Sequence, residues 1–319
     1  MSNSFVTIDM VTREALRIAH EKSVFIATTD RQYDDSFGKT GAKIGTALRV
    51  RKPNQYTRTQ GSRVMDVQDQ DEQTGTITVA TQDHVDMRFN SAELALSIDE
   101  LSKRYIEPAV ATLVSGIEAD FLAFATKATY HHVGTDNTAM TTLEIPGKAR
   151  AKMNQQLAPK GDRAVQMDST QMAALVNGMA AYFNPSKDGS ERFREGIVAR
   201  TAMADYYENE RIWTMENDDV ACTLDSYTVI QGDTDLTVTS WATPPAIGTI
   251  FTIAGVYDVH PETKVAYSHL KQFTVTSGST STSINCSPAI YSSASGALQN
   301  VSALPGTTAA VTFFGTADK

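Results

Sequence analysis

His131 and His132 form the most site-like pair in the chain, because paired imidazoles can ligate a metal or pass a proton. Adjacent residues do not face one another on a helix, and no third ligand follows at metal spacing. The pair therefore reads as a helix end or a loop. The stretch DQDEQTG, from Asp69 to Gly75, resembles a calcium loop in its acids. Its glycine falls one position late, and Ala80 stands where a bidentate acid is needed, so it reads as a solvated hairpin tip. Cys222 and Cys286 are the only cysteines and form no CxxC pair; two buried or idle thiols in a reducing compartment are expected. ENERIW and MENDD supply carboxylates without a base or nucleophile in a set arrangement. No GxSxG, Walker loop, Rossmann glycine pattern or HExxH is present. No catalytic residue, cofactor or metal site is assigned, and no enzyme activity is expected.

What remains is contact chemistry. RVRKP places Arg49 and Arg51 on one side of an expected strand, with Lys52 beside them. A solvated face is one reading. The other is an ion-pair partner on a neighbouring subunit, since charge complementarity sets register at interfaces. Asp66, Asp69 and Asp71, in the polar turn that follows, join these three as subunit-contact candidates.

The elements that must carry these residues follow from periodicity. Residues 8–22 read as a short amphipathic helix, with Ile8, Val11, Ala15, Leu16, Ile18 and Ala19 sharing a side. TTDRQYDDSFGKTGAK is polar and extended, an arm better ordered against a neighbour than against its own domain. TALRVRKP and GTITVATQ alternate as strands within 44–89, around a polar turn. Two strands without a third are marginal in water, so the hairpin should lie on something else.

From Ser97, SIDELSKRYIEPAVATLVSGIEADFLAFA is the longest helical run. Ser97 and Glu100 form a capping box. Ile98, Leu101, Tyr105, Ala109, Leu113, Ile117, Phe121 and Phe124 give the expected buried face. Pro108 should break the run, which restarts with the proline in its first turn and reaches about 30 Å. STQMAALVNGMAAYF reads as a helix capped by Ser169, and IVARTAMADYYENERIW as another.

The chain changes character near position 225. Residues 225–319 hold only 3 of the 28 lysines and arginines and 6 of the 37 acids, and are rich in Thr, Ser, Val and Gly. Short alternating runs separated by turn residues argue for a small β-barrel or sandwich. Its expected core is Val229, Leu236, Val238, Ile250, Ile253, Phe273, Val275 and Ile284. Trp241, before Pro244 and Pro245, reads as a cap on the barrel end or as a surface-binding aromatic.

Composition bounds the function. At 319 residues the chain can build two or more cores. A net charge of −9 and a pI near 5.2 oppose tight non-specific binding to nucleic acid. No run of 18 apolar residues occurs, so no membrane span is expected, and the N-terminus lacks the apolar core of a secretory signal.

Three blocks carry a resemblance: SFVTIDMVTREALRIAHEK, DRQYDDSFGKTGAKIGTALRVRKPNQYT and VDMRFNSAELALSIDELSKRYIEPAVATLVSGIEAD. In order, they resemble the N-terminal half of major capsid (coat) proteins of tailed bacteriophages. The type is the short-tailed phage coat that carries an extra β-domain, which GTIFTIAGVYDVHPETKVAYSHLKQFTVT resembles in turn. The resemblance implies an α+β capsid shell fold with an added all-β barrel-like domain. It makes 1–35 the N-terminal arm, 36–96 the extended hairpin loop that overlaps an adjacent subunit, and 97–127 the spine helix of the peripheral domain. It makes 128–224 the axial domain and 225–319 the β-barrel-like insertion.

Family members continue past that insertion to complete the shell domains. This sequence stops at GTADK, which implies either a truncated portion or strands supplied from elsewhere. The implied partners are further copies of the chain, in pentamers and hexamers, with scaffolding and portal proteins. The shell would enclose double-stranded DNA without sequence-specific binding or membrane attachment. It would be assembled in the host bacterial cytoplasm and found in the virion. The alternatives are an encapsulin-like shell protein and a surface- or carbohydrate-binding β module, the second of which leaves the first 224 residues without a purpose.

Overall fold

The computed structural model describes residues 4–29, 47–61, 65, 67, 72–79, 81–86, 102–135, 138–179, 204–215, 222–226, 228–239 and 244–315. Contacts divide the chain into two units. The first comprises Met1–Lys52, Glu72–Ala123 and Asn209–Ile212; the second comprises Pro53–Asp71, Phe124–Glu208 and Trp213–Lys319.

In the first unit, helix α1 (Ser4–Lys22) is followed by the single turn α2 (Phe25–Thr28). Strands β1 (Ala47–Arg51) and β2 (Thr74–Thr78) form an antiparallel pair from Ala47 opposite Thr78 to Arg51 opposite Thr74. A π-helical turn, Ser102–Ile106, leads into α3 (Glu107–Ala128), with Pro108 in the first α-helical turn. Proline has no N–H to give, so regular hydrogen bonding restarts there, as its position in the sequence predicts. Glu14 fixes α1 to this turn by accepting from Ser102 Oγ at 2.9 Å. Hydrogen bonds from Arg17 and then Ser102 push its pKa down to about 2. The expected cap at Ser97 and Glu100 lies outside the described residues.

The buried face of α3 differs from the expected one. Val114, Glu118 and Leu122 are buried, as is Ile106 just before the helix, whereas Ile117, Phe121 and Phe124 are 36%, 39% and 67% exposed. The real stripe lies one residue over. An acid at its centre hides it from a count of apolar residues.

In the second unit, α4 (Glu144–Gln155) precedes β3 (Ala164–Met167), α5 (Ser169–Gly178) and β4 (Asp205–Glu208). Strands β3 and β4 pair in parallel, Val165 opposite Tyr206. This corrects the helix expected around Tyr206 and Tyr207: aromatic residues suit a strand once a partner strand is present, and pairing overrides local pattern. The cap of α5 is Asp168, whose Oδ1 accepts from the Gln171 amide at 3.1 Å; Ser169 is already helical. Met167, Met172, Leu175 and Met179 make a small core there.

Gly178 allows a close approach in this unit, since a Cβ there would stand 1.8 Å from the Thr141 carbonyl oxygen. Gly178→Ala is expected to lower stability by at least about 1–3 kcal/mol, the usual cost of overpacking, because backbone must move to admit the methyl. A shift of the urea midpoint toward lower denaturant checks this, and an unchanged midpoint rejects it.

The rest of the second unit is a β-barrel built from β5 (Cys222–Thr223), β6 (Asp233–Thr237), β7 (Ile250–Val259), β8 (Ala266–Val275), β9 (Ser283–Ile290) and β10 (Ala310–Phe313). Their order is β5-β10-β7-β8-β9-β6. A bridge between Leu224 and Val238, with the Thr239 amide donating to the Thr223 carbonyl at 2.9 Å, joins the two ends of the sheet. Val229, Leu236, Val238, Ile253, Phe273, Val275 and Ile284 are in its core as expected. Ile250 is only half-buried, and Phe251 takes the inward place. Strand period explains this: Phe251 and Ile253 are two apart and share a face, whereas 250 and 253 cannot. Cys222 and Cys286 are free in the same core, and burial pushes both thiols up to about 12. Trp241 lies outside the described residues.

Candidate functional site

Two surfaces of the first unit stay largely exposed among the described residues. The first is the β1–β2 hairpin. Ala47, Arg49 and Arg51 alternate with Leu48 and Val50, so the arginines share one side, opposite Thr76 and Thr74. That side is exposed throughout. On the other side Leu48 and Val50 are only half-buried, and Ile77, opposite Leu48, is 54% exposed. A two-stranded ribbon with one face exposed and the other only partly covered does not hold itself together well.

Arg51 Nε stands 3.8 Å from Glu72 Oε2, both side chains being well exposed, so this pair contributes about 0–1 kcal/mol. Glu72 is an acid that the sequence reading did not single out. Lys52 continues the ladder through its amide, which donates to the Gln73 carbonyl at 2.8 Å. Asp66, Asp69 and Asp71 lie outside the described residues.

The second surface is the flank of α3 formed by Ile117 and Phe121. The Phe121 ring meets Phe25 of α2 at 5.2 Å, yet much of it remains open. The run Ser102–Ala128 is long and apolar enough to cross a membrane by length and composition. Against that, Glu118 near the middle of α3 is fully buried within the unit, with a set of polar partners that a lipid-facing span does not keep.

Those partners make Glu118 the hub of the first unit. Its Oε1 accepts from the amides of Val24 at 2.6 Å, Phe25 at 2.9 Å and Ile26 at 3.4 Å. Its Oε2 accepts from Arg211 at 2.7 Å, and Arg211 Nε also donates to Ser115 Oγ at 3.0 Å. One carboxylate thus ties α3 to the start of α2 and to the 209–212 segment. Sequence reasoning missed it. The available signal was a single acid flanked at four residues on either side by Val114 and Leu122.

The second unit holds His131 and His132 in the loop after α3. The His132 amide donates to Gln272 Oε1 at 3.1 Å, and Gln272 Nε2 donates back to the His132 carbonyl at 3.0 Å. Burial, then Lys152 and Lys271, push the His131 pKa down to about 4, so the ring is neutral at pH 7. Among the described residues no group of three His, Cys, Asp or Glu side chains is placed to hold a metal.

No family model matches the chain, and no curated protein matches it. Among solved structures it is similar to the CUS-3 coat protein I-domain, with 27% identity and a TM-score of 0.24. That alignment covers 32% of this chain and 98% of the I-domain chain.

Proposed function

We propose that this chain is a major capsid protein, the structural subunit of an icosahedral head of the short-tailed phage type. The observation that carries the reading is the β1–β2 pair, a five-residue ribbon with one side exposed throughout and the other only partly covered by the described residues. Exposed ribbon surface with an apolar pair at Leu48 and Ile77 is used when another copy covers it. The order of the three sequence blocks from arm to spine helix supports the same assignment.

In this reading the subunit acts by repetition. Each copy offers its hairpin and the open flank of α3 to a neighbour, and the heterologous contacts close into rings of five and six. The acidic balance suits an inner wall that confines packaged double-stranded DNA without gripping it. Partners are further copies, with scaffolding and portal proteins during assembly in the host bacterial cytoplasm. The finished location is the virion. The subunit has no catalytic role and takes no cofactor.

Electron microscopy of the purified, full-length protein tests this: closed shells or capsomer-sized rings are expected, and uniformly small monomeric particles would overturn it. Reversing charge at Arg49 and Arg51 together, as Arg49→Glu with Arg51→Glu, is expected to cut assembly yield severely while moving the melting temperature little. Exposed ion pairs contribute only about 0–1 kcal/mol each within a chain. The same contact repeated around a shell decides closure. Circular dichroism melts beside an assembly assay check this, and a lost fold with normal assembly of the soluble remainder would count against it.

A further inference from the structure

Among the described residues, one polar cluster in the second unit carries more positive charge than its carboxylate balances. Asp258, 1% exposed, is the acid at its centre. Its Oδ1 accepts from Lys271 Nζ at 2.8 Å and from the Val259 amide at 3.0 Å. Its Oδ2 accepts from Gln156 Nε2 at 2.8 Å, with His269 Nε2 at 3.4 Å. A second ammonium, Lys152 on α4, is half-buried here and donates to the neutral Oε1 of Gln272. Burial lowers the Lys152 pKa against the attraction of Asp258, and repulsion from Lys271 adds a smaller push in the same direction as burial.

Two imidazoles complete the cluster. His131 Nδ1 and, when its ring is neutral, His269 Nε2 are buried without a hydrogen-bond partner. Tyr267 stacks on the His269 ring at 5.2 Å and Tyr130 stands 5.5 Å from Lys271 Nζ, so aromatic contacts hold the basic groups in place. The His269 side chain is 35% exposed, so one side of the cluster meets solvent.

Two ammonium groups facing one carboxylate in a partly desolvated cluster leave one positive charge uncompensated by the described residues. A water molecule could satisfy an imidazole nitrogen but brings no charge. A small anion does both. We propose that this cluster binds a small oxyanion of the phosphate type, held by Lys152 Nζ and the ring nitrogens of His131 and His269, beside the Asp258–Lys271 pair. Lys152 has donors left after Gln272, and a neutral imidazole with its proton on the inward nitrogen donates one more. Gln272 is clamped on the His132 backbone, so the Lys152 ammonium is already positioned before the anion arrives.

The test uses the full chain at pH 7 titrated with inorganic phosphate at constant ionic strength, chloride replacing it in the control. Binding is read by calorimetry and by the melting temperature. A saturable heat and a melting temperature that rises with phosphate and not with chloride are expected. Lys152→Met should weaken binding at least tenfold. Lys148→Met, which removes an exposed lysine paired with Glu144 on the same helix, should leave it unchanged. Should Lys152→Met fail to fold, His269→Asn serves in its place, with a several-fold weakening expected. No saturable heat overturns the proposal, as does an equal response in wild type and Lys152→Met, which would mark general salt stabilisation.

Discussion

Glu118→Ala is expected to remove about 3 kcal/mol from the stability of the first unit and to free the amides of Val24, Phe25 and Ile26 to exchange with solvent. Taking away one partner of a buried ion pair costs about 3–5 kcal/mol, because the remaining charge is stranded. The lower end applies, since Arg211 keeps 25% of its side chain in contact with solvent and can rehydrate. Three amides also lose their acceptor together. Glu118→Gln retains one carbonyl oxygen for them but turns a neutral amide toward Arg211, so an intermediate loss follows. Urea melts give the stability, and hydrogen exchange resolved to residues 24–26 gives the local effect. Unchanged exchange at those amides in the Glu118→Ala protein would mean that the start of α2 is held by something other than this carboxylate.

The second large effect belongs to Asp258. Its removal as Asp258→Ala leaves Lys271 Nζ, on a side chain only 3% exposed, without a counter-charge, and takes an acceptor from Gln156 and from the Val259 amide. A loss of about 3–5 kcal/mol is expected. The two residues lie on neighbouring strands β7 and β8, so the damage falls on that strand pair. Combining Asp258→Leu with Lys271→Met should recover most of that loss, since a buried pair replaced by apolar groups of similar size is often neutral. Thermal and urea unfolding of the single and double variants separate the outcomes. A double variant as unstable as Asp258→Ala would show that the pair's value lies in its hydrogen-bonded neighbours and not in charge compensation.

The sequence by itself determined the elements whose signals are local. Pro108 marked where the long helix restarts, because a missing N–H acts at its own position whatever surrounds it. Alternation fixed β1 and β2 and put Arg49 and Arg51 on one side, since period two is a property of the strand alone. Seven of the eight core positions expected in the barrel are buried there, for the same reason, and the eighth failed because Ile250 and Ile253 cannot share a strand face.

Tertiary structure decided whatever depended on a partner distant in the chain. Strand β4 exists because β3 offers it a ladder, and no window around Tyr206 contains that fact. Glu118 is buried because three amides 92 to 94 residues away and a guanidinium 93 residues away converge on it. The sequence pattern charges an acid to the solvent side and so rotates the expected face of α3 by one residue. Asp258, Lys271, Lys152 and His131 come together in the same way, from a β-hairpin, a helix and a loop spread over more than a hundred residues. Apolar periodicity reports which side of an element avoids water. Only the folded chain reports which polar groups are compensated once they are there.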